Sequence, residues 1–402
     1  LISFLFSKEF IFILFLYAGF YKSVIPLNNY IDLTFLFMIM SMATAFFQIT
    51  TKRNFDWLIF KTLALFSLII LILIASLLYS SSAGSLNKAI HFLVVGGWSF
   101  VGPLFIINSK ESTEKFVSGT VLLGLTASVF ALREYILNSG NFGQVMIFGS
   151  DYLALGRLVG TSTLLLISFA MLQPITPFKR LLVYTLLTLM MLVLIISGGR
   201  APLLFVLIVF VLFLTSQIKI NLKDGILKYN KALPWISLAL TFFLFGFFTT
   251  DLPIFNTIKI RIGHIFNQAG GGASVIGRTQ RYDLALKMIG DRPIFGHGIG
   301  EFASVYGVPG DYPHNIFLEF GSELGLLGLL AFSALLVFTL SKFPFRALKN
   351  NNYKVVAWQI LLLFIYSFVN ANISGNIIGN RILFTSMSTM IALNITYKKE
   401  LI

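Results

Sequence analysis

The sequence predicts an all-α polytopic membrane protein with about twelve transmembrane helices and one large loop outside the cytoplasm. Hydrophobic residues make up 57% of the 402 residues and charged residues only 11%, whereas soluble domains are about a quarter charged. Apolar runs of about 20 residues recur along the chain, and each is long enough to cross a hydrocarbon core of about 30 Å. A long polar stretch, residues 251–313, interrupts this pattern.

The positions of the predicted spans follow from the apolar runs. They are residues 3–21, 30–50, 57–80, 89–108, 115–137, 152–173, 180–196, 201–216, 234–250, 314–340, 353–371 and 377–396. The first run lacks the small-residue cleavage site of a signal peptide, so it is interpreted as a spanning helix. Because no linker or repeat separates the runs, residues 1–402 are predicted to form a single integral membrane domain.

The distribution of lysine and arginine predicts which loops face the cytoplasm. The chain has a formal net charge of +14 and contains no cysteine. With the N-terminus inside, most basic residues fall in inner segments, as the positive-inside rule requires. The short outer segments and helix ends hold Lys22, Lys88, Arg133, Arg157, Arg200 and Arg381. Loop 251–313 is therefore predicted to face outside, and topology rather than nucleic-acid binding explains the charge.

Residues 251–313 are too many for a simple connection, and loops of this length are usually either functional or disordered. Residues 279–290 are predicted to form a short amphipathic helix within the loop. Its apolar side is predicted to carry Tyr282, Leu286 and Ile289. Arg278 and Arg281, three residues apart, share one helix face, and guanidinium groups suit phosphate oxygens. Both are candidate phosphate ligands, with a solvated helix face as the alternative.

The segment Ser197–Pro202 predicts a tight reversal between two apolar runs. Its glycines permit the turn, and proline suits a first helical turn. Arg200 is thereby held at the depth of lipid headgroups, where it is a candidate phosphate ligand; the alternative is an arginine that contacts lipid phosphates only. Arg133 and Arg157 lie near the outer ends of two spans and are further candidates, although contact with lipid explains them almost as well.

His314 ends the polar loop and directly precedes an apolar run. A neutral imidazole accepts a proton near pH 7, and the free N–H groups of a helix start favour anions, so His314 is a candidate general base. Glu319 and Glu323 share one helix face and either orient His314, pair with an arginine or form a polar rim. The outer segments lack an Asp-x-Asp pair, which favours a mechanism without metal or cofactor.

The region around His314 resembles the His-Asn-x9-Gly-x-x-Gly element of bacterial O-antigen ligases. The matching positions are His314, Asn315, Gly325 and Gly328. Segments Arg281–Ala285 and Arg292–Gly298 are similar to the arginine-bearing loop helix of the same superfamily, and Ser197–Arg200 matches its short arginine turn. The likeness is sequence-specific over residues 190–215 and 278–330, while the layout of the spans fits over the whole chain.

This resemblance implies a GT-C-like glycosyltransferase of the bacterial inner membrane whose active site faces the periplasm. It implies metal-independent transfer of a glycan from undecaprenyl pyrophosphate to an acceptor hydroxyl, with inversion at the anomeric carbon. By this likeness His314 takes the acceptor proton, and Arg200 and Arg281 hold the departing pyrophosphate. Asn315 joins Glu319 and Glu323 as a supporting residue. The expected partners are the lipid-linked donor, a lipid A–core or growing glycan acceptor, and membrane lipids.

An O-antigen ligase that joins O-antigen to lipid A–core is the favoured function, because the paired arginine-x10-glycine motifs of some polymerases are absent. Polymerisation of O-antigen or capsular polysaccharide is the alternative. A flippase for lipid-linked sugars is a third interpretation. Transporters place ionisable residues near the bilayer midplane, whereas here they gather at the outer face. Product length separates a ligase from a polymerase, and a flippase gives no product.

Overall fold

The computed structural model describes residues 2–21, 32–51, 56–137, 145–221, 226–228, 263 and 273–401. Within these ranges the regular secondary structure is helical apart from two short paired strands. Eight helical segments of the described residues are long and apolar enough to cross a membrane. The predicted class, an all-α multi-pass membrane protein, is thereby confirmed.

The structure describes sixteen α-helices. In chain order they are α1 (Ile2–Leu5), α2 (Lys8–Leu16), α3 (Ala18–Tyr21), α4 (Leu33–Thr51), α5 (Trp57–Ser76), α6 (Ser85–His91), α7 (Gly97–Ile106), α8 (Lys110–Leu137), α9 (Tyr152–Leu172), α10 (Pro177–Ile196), α11 (Arg200–Ser216), α12 (Ala273–Asp291), α13 (Glu301–Tyr306), α14 (Ile316–Ser341), α15 (Lys354–Ala371) and α16 (Arg381–Lys399). A π turn (Phe92–Gly96) joins α6 to α7, and a 3-10 turn (Phe345–Lys349) precedes α15. Strands β1 (Lys219–Asn221) and β2 (Ile226–Lys228) pair antiparallel.

The eight spanning segments agree with eight of the predicted spans. They are α4, α5, the joined α6 and α7, α8, α9, α10, α14 and α15. The predicted first span, 3–21, is instead divided into α1, α2 and α3, because Ser7 caps α2 by accepting a hydrogen bond from the Phe10 amide at 3.3 Å. Helices α11 and α16 cover two more predicted spans but are not among the eight, and the predicted span 234–250 lies outside the described residues. The predicted total of twelve therefore stays a prediction.

The chain divides into two compact units, residues 1–119 with 269–402 and residues 120–268. In the first unit α7 packs along α16, where Thr385 Oγ1 donates a hydrogen bond to the Ser99 carbonyl at 2.8 Å. Aromatic rings fill this core, and Phe66 stacks on Phe100 with ring centroids 4.4 Å apart. In the second unit α9 packs against both α10 and α11.

Helix α14 is broken at Gly325, whose φ of 66° and ψ of −165° only glycine adopts readily. Residues 293–298 run beside the break and form hydrogen bonds with its backbone N–H and C=O groups. The Gly298 amide donates to the Glu323 carbonyl at 2.8 Å, and the Leu326 amide donates to the Pro293 carbonyl at 2.7 Å. Because a Cβ on Gly325 would overlap backbone atoms of residues 294 and 296, this position of the sequence element requires glycine.

Gly325→Ala is expected to lower the free energy of unfolding by at least about 1–3 kcal/mol, the cost of holding a residue with a side chain in such a conformation. Overlap with residues 294 and 296 adds to this cost. Thermal unfolding in detergent measures the effect. Gly290→Ala is the matched control, because a Cβ there meets no atom within 4 Å. Equal melting temperatures for the two variants would contradict the structural role assigned to Gly325.

The loop helix α12 is longer than predicted, spanning Ala273–Asp291 instead of residues 279–290. Its buried face also differs from the prediction. Ala285 and Met288 are buried against Phe302, whereas Leu286, predicted to lie on the apolar side, is 56% exposed. The cause is tertiary, since α12 packs on α13 and α14, and these neighbours select the face that turns inward.

Candidate active site

His314 lies in the turn that leads into α14, with a φ of 59° in the left-handed region. Residues other than glycine seldom adopt this conformation, and it is often found at functional positions. Asn315 fixes the start of the helix, because its Oδ1 accepts hydrogen bonds from the Phe317 amide at 3.0 Å and the Leu318 amide at 3.1 Å. Asn315 Nδ2 also donates to the Asn372 carbonyl at 3.2 Å. The predicted helix start is confirmed.

Asp311 faces His314 and was not singled out by the sequence. Its Oδ1 lies 4.0 Å from His314 Nε2, and the ring of Tyr312 lies against the imidazole with centroids 4.2 Å apart. Only 7% of the Asp311 side chain is exposed. The negative charge of Asp311 thus lies next to the imidazole, an arrangement suited to a histidine that accepts a proton.

Arg281 binds Asp311 from the other side. Arg281 Nε donates to Asp311 Oδ1 at 2.9 Å, and Arg281 Nη2 donates to Asp311 Oδ2 at 2.6 Å. The guanidinium also lies over the Tyr306 ring, 4.7 Å from its centroid, and donates to the Gly277 carbonyl at 2.8 Å. Arg281 is therefore paired with Asp311 in this structure, and its predicted role as a phosphate ligand stays a prediction.

The charges of this pair support each other. Burial alone would raise the pKa of the Asp311 carboxyl, but hydrogen bonds from Arg281 and the Tyr312 amide outweigh burial and hold that pKa below its usual value. The hydrogen bonds to Asp311 also raise the pKa of the Arg281 guanidinium. Both groups are thus charged at neutral pH, and much of the Arg281 charge is already compensated.

Arg278 is the better placed candidate for binding an anion on α12. Its guanidinium makes no hydrogen bond or ion pair with any residue that the structure describes. Tyr282 follows Arg278 by four residues on α12 and so lies on the same helix face. Burial raises the pKa of the Tyr282 hydroxyl, and the charge of Arg278 acts against that rise. Tyr282 in turn reaches the Asn372 carbonyl at 3.5 Å, the same oxygen that Asn315 binds. Among the described residues, Arg278 therefore has no acidic partner for its charge.

Asp311→Asn is expected to lower the transfer rate about tenfold, which corresponds to an activation free energy higher by about 1.4 kcal/mol. The neutral amide cannot stabilise an imidazolium by its charge, and it cannot form the ion pair with Arg281. Initial rates at saturating donor and acceptor measure the effect. Asp283→Asn is the matched control, because Asp283 is exposed on α12. An unchanged rate for Asp311→Asn would exclude a role for Asp311 beside His314.

A buried ion cluster ties α14 to α6. Lys88 Nζ lies 2.6 Å from Glu319 Oε1 and 2.8 Å from Glu323 Oε2. The side chains of both glutamates are at most 1% exposed, and Glu319 Oε2 also accepts a hydrogen bond from the Ile377 amide at 2.9 Å. The expected arginine partner and the expected polar rim are both wrong, because the carboxylates are buried and Lys88 is their cation.

The remaining candidate arginines belong to the second unit. The turn at 197–199 joins α10 to α11, with Gly198 at a φ of 71°, so the predicted reversal is confirmed and Arg200 begins α11. Arg157 Nε donates to the Leu153 carbonyl at 3.4 Å within α9. Arg133 is 64% exposed, with its Nη1 3.5 Å from Glu134 Oε1, and the candidate roles of these three arginines stay predictions.

Comparison with known proteins identifies one domain in this chain. Residues 185–333 match the family model described as O-antigen ligase. The matched segment runs from α10 into α14 and includes Arg200, Arg278, Arg281, Asp311, His314, Glu319, Glu323 and Gly325, whereas Lys88 lies outside it. No curated protein matches the chain significantly. Residues 185–333 are thus similar to the O-antigen ligase family, and the resemblance to the O-antigen ligase and polymerase superfamily is confirmed over this segment.

Proposed function

We propose that this protein is a membrane glycosyltransferase that moves a glycan from undecaprenyl pyrophosphate to an acceptor hydroxyl outside the cytoplasm. The preferred reaction is that of an O-antigen ligase, which joins O-antigen to lipid A–core. The observation that carries the proposal is the placement of His314 beside the Arg281–Asp311 ion pair, within the segment that matches the ligase family.

In the proposed reaction His314 removes the proton from the acceptor hydroxyl. The hydroxyl oxygen attacks the anomeric carbon of the donor sugar, and the bond from that carbon to the pyrophosphate oxygen breaks. The new glycosidic bond has the inverted configuration, and undecaprenyl pyrophosphate leaves with the bonding electron pair. Asp311 stabilises the imidazolium that forms, and Arg281 holds Asp311 in place. No metal or cofactor takes part in this scheme.

Positive charge near the leaving group is the second requirement of this scheme. Negative charge develops on the pyrophosphate as its bond to carbon breaks, and prepositioned cations stabilise it by about 3–4 kcal/mol per donor group in other enzymes. Arg278 is proposed for this role because its charge is not compensated by a described residue. Arg200 is proposed for the same role because its turn matches that of the family.

Transfer by the purified protein tests this proposal. The donor is undecaprenyl-pyrophosphate-linked glycan, the acceptor is lipid A–core, and products are separated by size in detergent. A ligase adds one glycan to each acceptor, whereas a polymerase lengthens the lipid-linked glycan itself. Product of either kind supports a transferase, and the absence of both products from folded protein would favour a flippase.

A further inference from the structure

A polar cleft of about 610 Å³ lies next to Asp311 within the first unit. Its walls are formed by residues 82–91, residues 300–311 and residues 376–378. The polar side chains that face it include Asn87, His91, Ser304 and Asn376, with Lys88 and Asp311 completing the charged part of the lining. The cleft could not be predicted from the sequence, because its three walls come from distant parts of the chain.

The lining of the cleft suits a sugar. Amide, hydroxyl and imidazole groups both donate and accept hydrogen bonds, as the hydroxyls of a sugar do. Among the described residues, the side chains of Asn87, His91 and Ser304 have no hydrogen-bond partner, and all three line the cleft. A cavity of this size lies within the range of small-molecule sites, about 300–1,000 Å³.

Asp311 connects the cleft to the candidate base. It lines the cleft, and its Oδ1 lies 4.0 Å from His314 Nε2. A sugar in the cleft would therefore lie next to the carboxylate that faces His314. We propose that this cleft binds the terminal sugar of the glycan acceptor, an assignment that rests on the proposed transferase function. The donor pyrophosphate is assigned to the arginines and not to this cleft.

Ser304→Trp is expected to fill the cleft and to raise the acceptor concentration that gives half-maximal rate at least about tenfold. The donor concentration that gives half-maximal rate should change little. The acceptor is the glycolipid fraction extracted from cells that lack this protein. Val305→Trp is the matched control, because Val305 is the next residue on α13, is 50% exposed and does not line the cleft. Equal effects of the two substitutions, or none, would overturn the proposal.

Asn87→Ala extends the test if Ser304→Trp does not fold, as judged by thermal unfolding. Loss of one hydrogen bond of about 1 kcal/mol should raise the acceptor concentration that gives half-maximal rate about fivefold. Leu86→Ala is the control, since Leu86 is 60% exposed beside Asn87 and does not line the cleft. If Asn87→Ala leaves the acceptor concentration for half-maximal rate unchanged, the proposal that the cleft binds the acceptor sugar is contradicted.

Photo-crosslinking separates a failure of the subsite from a failure of the proposed function, because it needs no turnover. A benzophenone amino acid replaces Asn87 or Leu86 in cells whose envelope glycolipids carry a radioactive sugar. Labelled glycolipid captured at position 87 and not at position 86 supports the subsite even if the purified protein forms no product. Equal capture at both positions, or none at position 87, overturns it.

Discussion

His314→Asn is expected to lower the rate of glycan transfer by about 10²–10⁴, the usual contribution of a positioned general base. Asparagine is chosen because it tolerates the left-handed conformation that residue 314 adopts, keeps a polar side chain and cannot accept a proton near neutral pH. Folding should therefore be retained while the chemical step is lost. Initial rates at saturating donor and acceptor measure the effect.

The control for this prediction is the folded state of the variant. His314→Asn and the wild-type protein should unfold at similar temperatures in detergent, and both should retain the donor lipid. His314→Ala should lose the same activity but is expected to be less stable, because alanine favours φ > 0 less than asparagine does. Loss of a general base should leave at most about a hundredth of the rate. A His314→Asn protein that keeps more than about a tenth of the wild-type rate would therefore exclude the proposed base.

Lys88→Met is expected to destabilise the protein by about 3–5 kcal/mol, because removing one partner of a buried ion pair leaves an uncompensated buried charge. Here two carboxylates lose their shared cation, since Glu319 and Glu323 both contact Lys88 Nζ. The loss of α6 as an anchor should also displace the start of α14, on which His314 depends. Thermal unfolding and transfer rate measure the two consequences.

Neutralising both carboxylates separates charge from packing in this cluster. The triple variant Lys88→Met with Glu319→Gln and Glu323→Gln should recover much of the lost stability, because replacing all partners of a buried pair is far less costly than removing one. The side-chain amide oxygen introduced by Glu319→Gln can still accept the hydrogen bond from the Ile377 amide. Wild-type stability in Lys88→Met alone would show that the cluster does not hold α6 to α14.

Local features of the sequence predicted much of the fold. Apolar run length located eight spanning segments, because the length of a span depends only on bilayer thickness. The reversal at 197–199 and the helix start after His314 were also predicted, since turn and capping preferences act within a few residues. The prediction that Leu286 lies on the inward face of α12 was wrong. Neighbouring helices, and not the period of the helix alone, decide which face turns inward.

The charge partners of the site could not be predicted, because pairing between distant residues is a property of the tertiary structure. Lys88 and Glu319 are 231 residues apart, and the sequence placed Lys88 with the outer basic residues. Arg281 and Asp311 are 30 residues apart, and phosphate binding was the more general expectation for an arginine. Gly325 was recognised from the family element, whereas the reason for it, a helix break beside residues 293–298, is a property of the tertiary structure.

The central claim is that His314 serves as the base for transfer of a lipid-linked glycan, and one assay tests it directly. Purified wild-type and His314→Asn proteins are supplied with undecaprenyl-pyrophosphate-linked glycan and lipid A–core in the presence of a metal chelator, and product mass is followed. The wild-type protein should release one undecaprenyl pyrophosphate for each glycosidic bond formed, and His314→Asn should form almost none. Equal product from both folded proteins, or no transfer by the wild type, would contradict the claim.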